Sequence, residues 1–121
     1  MSFLVLWTGV GVLGGLGALA RFLVDGLVSV ETGGRLPLGT LLVNLSGSVV
    51  LGILVGVALN GDAYLLAGTA VIGSYTTFST WMFESERLAE DGLRWMFAAN
   101  VVLSLVLGVG AVSLGRLIGG G

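Results

Sequence analysis

Four long apolar segments alternate with short polar connections along the chain. They are predicted to form helices over residues about 3–30, 38–59, 63–83 and 93–117. Each segment has at least 18 residues, the length that an α-helix needs to cross ~30 Å of hydrocarbon. The connection NGD is so short that the second and third helices are expected to be antiparallel neighbours. The pattern predicts an all-α membrane protein, with one four-helix transmembrane domain over residues 1–121.

The first apolar segment is expected to remain in the protein as a membrane span. Residues 18–20 read ALA, which resembles the cleavage site of a secretory signal peptide. No Lys or Arg precedes the segment, however, whereas a signal peptide begins with a basic region. Cleavage would also leave only three of the four predicted spans.

Composition agrees with a membrane protein and removes several kinds of chemistry. Hydrophobic residues make up 55% of the chain and charged residues only 10%, too few to form the polar shell of a soluble domain. Cysteine and histidine are absent, which excludes disulfides, thiolate chemistry and the commonest metal ligand. A net charge of −2 argues against a nucleic-acid partner. No phosphate-cradling glycine motif is present, and no enzymatic activity is predicted.

The chain is rich in glycine, with 22 residues, many of them inside the predicted spans. GVGVLGGLGALA and GILVG are two such stretches. Small residues allow helices in lipid to approach closely, and van der Waals contact then drives their association. A bundle of only four helices leaves little room for a pore within one copy. We therefore expect the protein to form oligomers, surrounded by membrane lipid.

Asn44 in the predicted second span, and Asn100 and Ser104 in the fourth, are candidate polar residues of a path. An unpaired amide in hydrocarbon costs several kcal/mol, so Asn44 should face protein or water. It either makes an interhelical hydrogen bond or donates into a polar path. Asn100 and Ser104 are four residues apart and share a helix face, although Ser104 could instead bond to its own helix backbone.

The stretch GSYTTFST interrupts the third apolar segment, starting at Gly73 near its middle. Glycine, serine and β-branched threonines together favour a break over a straight helix. The freed backbone groups need protein, an ion or water, and broken helices mark ion sites in transporters. Phe78 and Trp81 share one face, where their positive ring edges either meet an anion or make ordinary aromatic packing.

Charged side chains are expected at the edges of the bundle. No acidic residue lies deep within a predicted span, which disfavours a proton-coupled small-molecule exporter, one rival hypothesis. Glu84 ends the third segment as an interfacial residue. Arg21 either reaches the membrane surface or pairs inside the bundle, in a structural role. The polar side chains within the predicted spans are uncharged and rich in hydrogen-bond donors, and a path lined by them would suit a small, hard anion. A structural subunit without transport is the other rival.

Three motifs resemble the signatures of the CrcB/Fluc fluoride channels. GGLGALARF resembles GGxxGAxxRY of the first helix, GTLLVNLSGS is similar to GTLxVNxxGS of the second, and TTFSTWMFE matches TTFSTFSxE with two changes. The motifs occur in the family's order, one per helix. The resemblance covers essentially the whole chain.

The resemblance implies an antiparallel dimer in which two inverted subunits form two fluoride pores. It also implies a structural sodium ion at the centre of the dimer, held by backbone carbonyls where the third helix breaks. Gly73 and Tyr75 match the positions that supply those carbonyls. Fluoride would leave the cell passively through the plasma membrane, which lowers its toxicity.

The resemblance also assigns side chains to the fluoride pore. The matching residues are Asn44, Phe78, Ser79, Thr80, Trp81, Asn100 and Ser104. Arg21 and Glu84 match structural positions of the first and third signatures. Trp81 replaces the second phenylalanine of the family's aromatic pair, and its indole N–H would either serve the anion or obstruct the pore. The subunit would act as a homodimer, or as the partner of a paralogue in a heterodimer in which one pore is degenerate.

Overall fold

A computed structural model describes residues 1–32 and 38–121, and in this part of the chain all regular structure is helical. The long helices are α1 (Phe3–Thr32), α2 (Leu38–Gly56) and α6 (Arg94–Ile118). A composite helix over residues 61–75 consists of α3 (Gly61–Tyr64), a π-helix (Leu65–Ile72) and α4 (Gly73–Tyr75). The helix α5 (Ser79–Glu90) follows a short break.

Among the described residues, three helices are long and apolar enough to cross a membrane, namely Phe3–Glu31, Leu38–Gly56 and Arg94–Ile118. Large apolar side chains on α1 and α6 point outward, whereas α2 is the most covered of the three. Outward apolar surface on this scale is stable in lipid and not in water. The prediction of an all-α membrane protein is therefore confirmed.

The third apolar segment is interrupted, as the sequence predicted, but at a different residue. Gly73 retains helical angles, with φ −61° and ψ −35°, and the chain leaves the helix at Thr76, where ψ is 159°. Hydroxyl groups of Ser74 and Thr76 donate back to the carbonyls of the preceding turn, which accompanies bends in helices. The break thus occurs at the threonines, and the expectation that Gly73 itself interrupts the helix is corrected.

The acidic stretch ESERLAE, expected to be part of a polar connection, belongs to α5. Ser85 and Leu88 are buried and lie three residues apart, on the same face of this helix. Their burial against the bundle supplies the contact that a charged segment of this length needs to remain helical.

The most extensive helix contact joins α2 and α6, and glycine makes it possible. A Cβ on Gly115 would collide with the Val49 carbonyl oxygen, and one on Gly52 with the Val112 carbonyl oxygen. Backbones that approach this closely exclude any side chain at these positions. The composite helix packs chiefly on α1, where a Cβ on Gly17 would collide with the Val71 carbonyl. Close glycine contacts therefore define two helix pairings, α2 with α6 and α1 with the composite helix.

We expect Gly115→Val to disrupt the α2–α6 contact. Overpacking of this kind costs about 1–3 kcal/mol of folding free energy. The purified variant is heated and then applied to a size-exclusion column. Its single elution peak should be lost at a temperature several degrees below that of the wild type. Gly110→Val on the same helix is the matched control, because a Cβ there meets nothing within 4 Å. Equal thermal stability of the two variants would contradict the close helix contact.

Candidate functional site

One amide side chain bridges α2 to the break in the third segment. The Asn44 Nδ2 group donates to the Thr77 carbonyl oxygen at 2.9 Å, and the Thr77 N–H donates to Asn44 Oδ1 at 2.8 Å. The two bonds fix the orientation of the amide, because its oxygen must face an N–H and its nitrogen a carbonyl. Asn44 therefore replaces the hydrogen bonds that a continuous helix would have supplied to Thr77. Of the two alternatives for this side chain, a hydrogen bond to another segment of the bundle is present, and its partner lies in the break between α4 and α5.

The side chain of Thr77 starts the next helix. Its Oγ1 accepts a hydrogen bond from the backbone N–H of Thr80 at 3.3 Å. A hydroxyl that accepts from the N–H three residues later is the usual N-terminal cap of an α-helix. Thr80 itself is half-buried in this first turn of α5. Thr77 thus links α2 to α5, because its backbone pairs with the Asn44 amide and its hydroxyl accepts from the first turn of α5.

Two aromatic rings lie at the beginning of α5. The ring centroids of Phe78 and Trp81 are 5.5 Å apart, with an interplanar angle of 69°. This edge-to-face arrangement is favourable for aromatic pairs. Phe78 is 69% exposed in the single chain, whereas Trp81 is half-buried. The side chain of Ser79, also predicted for the site, lies outside the described part of the structure.

Two cavities adjoin the Asn44 amide. The larger has a volume of about 410 Å³ and includes Asn44, Gly73, Phe78 and Trp81 in its lining. The smaller has a volume of about 110 Å³ and lies among α2, α5 and α6, with Asn44, Ser48, Trp81 and Ser104 as its polar or aromatic lining. A third cavity of about 390 Å³ continues along α6 past Ser104 to Ser113. Residues shared by neighbouring cavities make the series a candidate path.

Asn100 does not line these three cavities, although it lies on the same face of α6 as Ser104. Its Nδ2 group donates to Ser85 Oγ at 2.7 Å, and Ser85 Oγ donates to the Trp81 carbonyl oxygen at 2.8 Å. Asn100 instead lines a separate cavity of about 260 Å³, with Ser104 at the boundary. The two residues are brought together by α6, and only Ser104 faces the small cavity beside Asn44 and Trp81.

The end of the composite helix carries the two residues predicted for a cation. Gly73 is exposed, and Tyr75 lies nearer to α2, where its hydroxyl and Ser46 Oγ are 2.9 Å apart. The N–H of Thr77, which would bond to the Gly73 carbonyl in a continuous helix, donates to Asn44 instead. The neighbouring Ser74 carbonyl accepts from Arg21 Nε at 3.4 Å. Arg21 therefore contacts this helix end from α1.

Glu84 contacts the beginning of α2 and does not line the three cavities. Its Oε1 accepts a hydrogen bond from the buried hydroxyl of Thr40. Among the described residues, the lining of the three cavities contains no charged side chain. The path is therefore uncharged and supplied with amide, indole and hydroxyl groups.

Sequence reasoning missed four residues that organise this site: Thr40, Ser46, Thr77 and Ser85. Each is a hydroxyl residue whose partner comes from another part of the chain or from the backbone. Thr77 alone had a local signal, since a threonine three residues before Thr80 can cap a helix that begins between them. The Thr40–Glu84 and Ser46–Tyr75 pairings depend on helix packing and have no signal in the sequence. Ser85 donates within its own helix, and its contact with Asn100 of α6 depends on packing.

The fold and the site define a class of protein, a small membrane protein with an uncharged, donor-lined path beside a broken helix. The family model for CrcB-like protein, Camphor Resistance (CrcB), matches residues 8–116. The chain belongs to this family. The family that the three motifs indicated is thereby confirmed.

Curated relatives match most of the chain. The chain is 50% identical to fluoride-specific ion channel FluC 2 of Mycolicibacterium paratuberculosis over 116 residues, 96% of this chain and 95% of the relative. It is 48% identical to fluoride-specific ion channel FluC 1 of Nocardia farcinica, over 83% of this chain and 71% of the relative. It is 43% identical to fluoride-specific ion channel FluC 2 of Haloarcula marismortui, over 87% and 86%.

We expect Asn44→Ala to destabilise the protein, because it leaves the Thr77 N–H and carbonyl without partners. An unsatisfied buried backbone group costs about 1–3 kcal/mol. The effect is measured as thermal unfolding of the purified variant, with the loss of monodisperse protein as the readout. Asn60→Ala is the matched control, since Asn60 is exposed and makes no side-chain cap hydrogen bond. An Asn44→Ala protein as stable as the control would mean that the Asn44–Thr77 pairing is dispensable.

Proposed function

We propose that this chain forms a fluoride-selective channel of the plasma membrane, through which cytoplasmic fluoride leaves the cell passively. The observation that carries the proposal is the series of cavities on either side of Asn44, lined by hydrogen-bond donors and lacking charged side chains among the described residues. Membership of a family whose curated relatives are named fluoride-specific ion channels supports the choice of anion. Those names also agree with a protein that is not an enzyme.

Fluoride is small and strongly hydrated, so a channel must replace its water with donors that are already in place. Asn44 fits this requirement because two hydrogen bonds to Thr77 hold its amide. One Nδ2 hydrogen is used in that pairing and the second is available to the path. The edges of Phe78 and Trp81 add partial positive charge without a formal charge that would trap the anion.

We propose further that two inverted copies form the channel and that each dimer has two pores. Gly73 and Phe78 are exposed in the single chain, which leaves the wall of the larger cavity open to a second subunit. The partner is a second copy or a paralogue, and relatives bear the names FluC 1 and FluC 2. A proton-coupled exporter has less support, because it needs a carboxylate in its path and Glu84 contacts Thr40 outside the cavities.

A sodium ion at the centre of the dimer is also part of this proposal. Backbone carbonyls at the end of a broken helix are the oxygen ligands that a hard cation prefers. The Gly73 carbonyl fits, because its helical partner N–H, that of Thr77, donates to Asn44. Gly73 and Tyr75 would supply carbonyl oxygens from each subunit, and the ion would hold the two helix ends together.

Liposomes that contain only the purified chain are expected to release fluoride rapidly and chloride at the rate of empty liposomes. A fluoride electrode and a chloride electrode measure the two effluxes. Asn44→Asp should abolish fluoride release, since it places a negative charge where Asn44 offers a donor. The Asn60→Asp protein is the matched control and should conduct like the wild type.

The outcomes separate the candidate functions. Rapid fluoride release by the single chain supports a homodimeric channel. Release that requires co-reconstitution with a paralogue supports a heterodimer, and release of both halides at equal rates contradicts fluoride selectivity. Unchanged efflux from Asn44→Asp removes Asn44 from the path.

The sodium proposal is tested by the oligomeric state. Replacing Na⁺ with N-methylglucamine should lower the dimer fraction several-fold in light scattering of the detergent-solubilised protein. Gly73→Val should abolish this dependence without unfolding the chain, because a Cβ there meets only the Gly68 carbonyl oxygen, at 3.9 Å. Gly11→Val, whose Cβ meets nothing within 4 Å, is the control. A Na⁺-dependent dimer in Gly73→Val would contradict the carbonyl site.

A further inference from the structure

A cavity of about 260 Å³ lies outside the proposed path, among the start of α2, the end of α5 and the first half of α6. Two of its lining residues are polar, Asn100 and Ser104, and the Asn100 amide is engaged with Ser85. The rest of the lining is apolar and consists of Leu38, Leu41, Leu88, Trp95, Met96, Ala99 and Leu103. Since apolar cavities do not hold water, the occupant of this one should be hydrocarbon.

The cavity is long and opens to the bilayer. Its lining on α6 extends from Trp95 to Ser104, which is about 13 Å along the helix axis. Trp95, Ala99 and Leu103 are spaced four residues apart and form a stripe on one face of α6. The side chains at the two ends of this stripe are exposed, Trp95 to 81% and Leu103 to 51%. A space of this length beside a membrane-spanning helix fits one extended acyl chain that runs along the helix.

The α5–α6 turn lies at the surface end of this cavity and has a fixed shape. The Leu93 N–H donates to the Leu88 carbonyl oxygen at 2.9 Å, and the Gly92 N–H donates to that of Ala89 at 3.1 Å. Gly92 has a φ of 78°, so the turn is the Schellman motif that ends many helices. Trp95 begins the apolar span of α6, at the depth where tryptophan meets lipid headgroups. The turn is therefore held at headgroup level.

Two arginines of this turn are available to a ligand. Arg87 adjoins Leu88, and Arg94 adjoins Trp95, which are both lining residues of the cavity. Both arginines are exposed, and neither guanidinium has a hydrogen-bond or ion-pair partner among the described residues. A guanidinium group matches the geometry of phosphate and binds it through paired N–H donors. The surface end of an acyl-shaped cavity thus offers two cations to a phosphate.

The neighbouring carboxylates select among phospholipids. Glu86, Glu90 and Asp91 are exposed in the same turn, and three carboxylates with two guanidinium groups give it a net charge of −1. A lipid with a net negative charge is repelled by such a turn. A zwitterionic lipid offers its phosphate to the arginines and its cation to the carboxylates. A primary ammonium can also donate three hydrogen bonds, whereas the quaternary ammonium of choline donates none.

We propose that one aminophospholipid binds at this site, with an acyl chain in the cavity of about 260 Å³ and its phosphate on Arg87 and Arg94. Its ammonium group lies among the carboxylates of the turn. This specific site is distinct from the general solvation of α1 and α6 by lipid, and it does not depend on which ion the protein transports. The lipid contacts three helices that separate on unfolding, so its binding stabilises the folded protein.

Thermal stability of the detergent-solubilised protein tests the site. Dioleoyl phosphatidylethanolamine, phosphatidylcholine and phosphatidylglycerol are added separately at equal mole fraction, and the midpoint temperature for loss of monodisperse protein is measured. Phosphatidylethanolamine should raise this midpoint by several degrees and the other two lipids by much less. Phosphoethanolamine, which has the headgroup without acyl chains, should leave the midpoint unchanged. Native mass spectrometry should show one phosphatidylethanolamine retained by each chain.

Two variants separate the headgroup from the acyl chain. Arg87→Gln/Arg94→Gln should lose the shift given by phosphatidylethanolamine, whereas Arg116→Gln, an exposed arginine at the other end of α6, should retain it. Ala99→Phe fills the cavity and should also lose the shift. Ala98→Phe is its matched control, because Ala98 is exposed and does not line the cavity. Each shift is measured against the same variant without lipid, so a change in basal stability does not affect the comparison.

Three outcomes would overturn the proposal. Equal shifts from all three lipids would mean that lipid acts only as a solvent for the apolar surface. A larger shift from phosphatidylglycerol would show that the turn selects an anionic lipid. An undiminished phosphatidylethanolamine shift in the double arginine variant, or in Ala99→Phe, would remove the headgroup contact or the acyl site.

Discussion

The site depends on the pairing of the Asn44 amide with the backbone of Thr77. A helix that breaks inside a membrane protein exposes N–H and carbonyl groups that lipid cannot satisfy. One side chain from α2 satisfies both groups at the break, at 2.8 and 2.9 Å. The Thr77 hydroxyl then caps α5 through Thr80. The orientation of the aromatic pair and the division of the space into two cavities follow from this connection.

Close helix contacts place other polar residues beside this pairing. Gly52 and Gly115 allow α2 and α6 to touch through their backbones, which brings Ser104 to the cavity beside Asn44. The same helix carries Asn100 to Ser85 and so supports the turn of Trp81. A side chain at either glycine would separate the helices and widen the cavity, so the same contact sets both the helix packing and the size of the cavity.

Charge is kept at the edges of the proposed path. Arg21 donates to the Ser74 carbonyl at the end of the composite helix, and Glu84 accepts from Thr40 at the start of α2. Neither residue lines the three cavities. A fixed positive charge would bind a small anion tightly and slow its release, whereas neutral donors bind it weakly enough to let it leave. An uncharged lining is thus suited to conduction.

The sequence by itself determined the apolar segments, the presence of a break in the third and the polar side chains within reach of it. These features are local, because hydrophobic runs and β-branched threonines act through neighbouring residues. Tertiary structure alone decided that the break occurs at Thr76, that Asn44 pairs with Thr77 and that Ser104, not Asn100, faces the small cavity. Helix periodicity determines which residues lie on the same face. Only close packing determines which faces contact each other, and the hydrogen-bond partners between helices depend on those contacts.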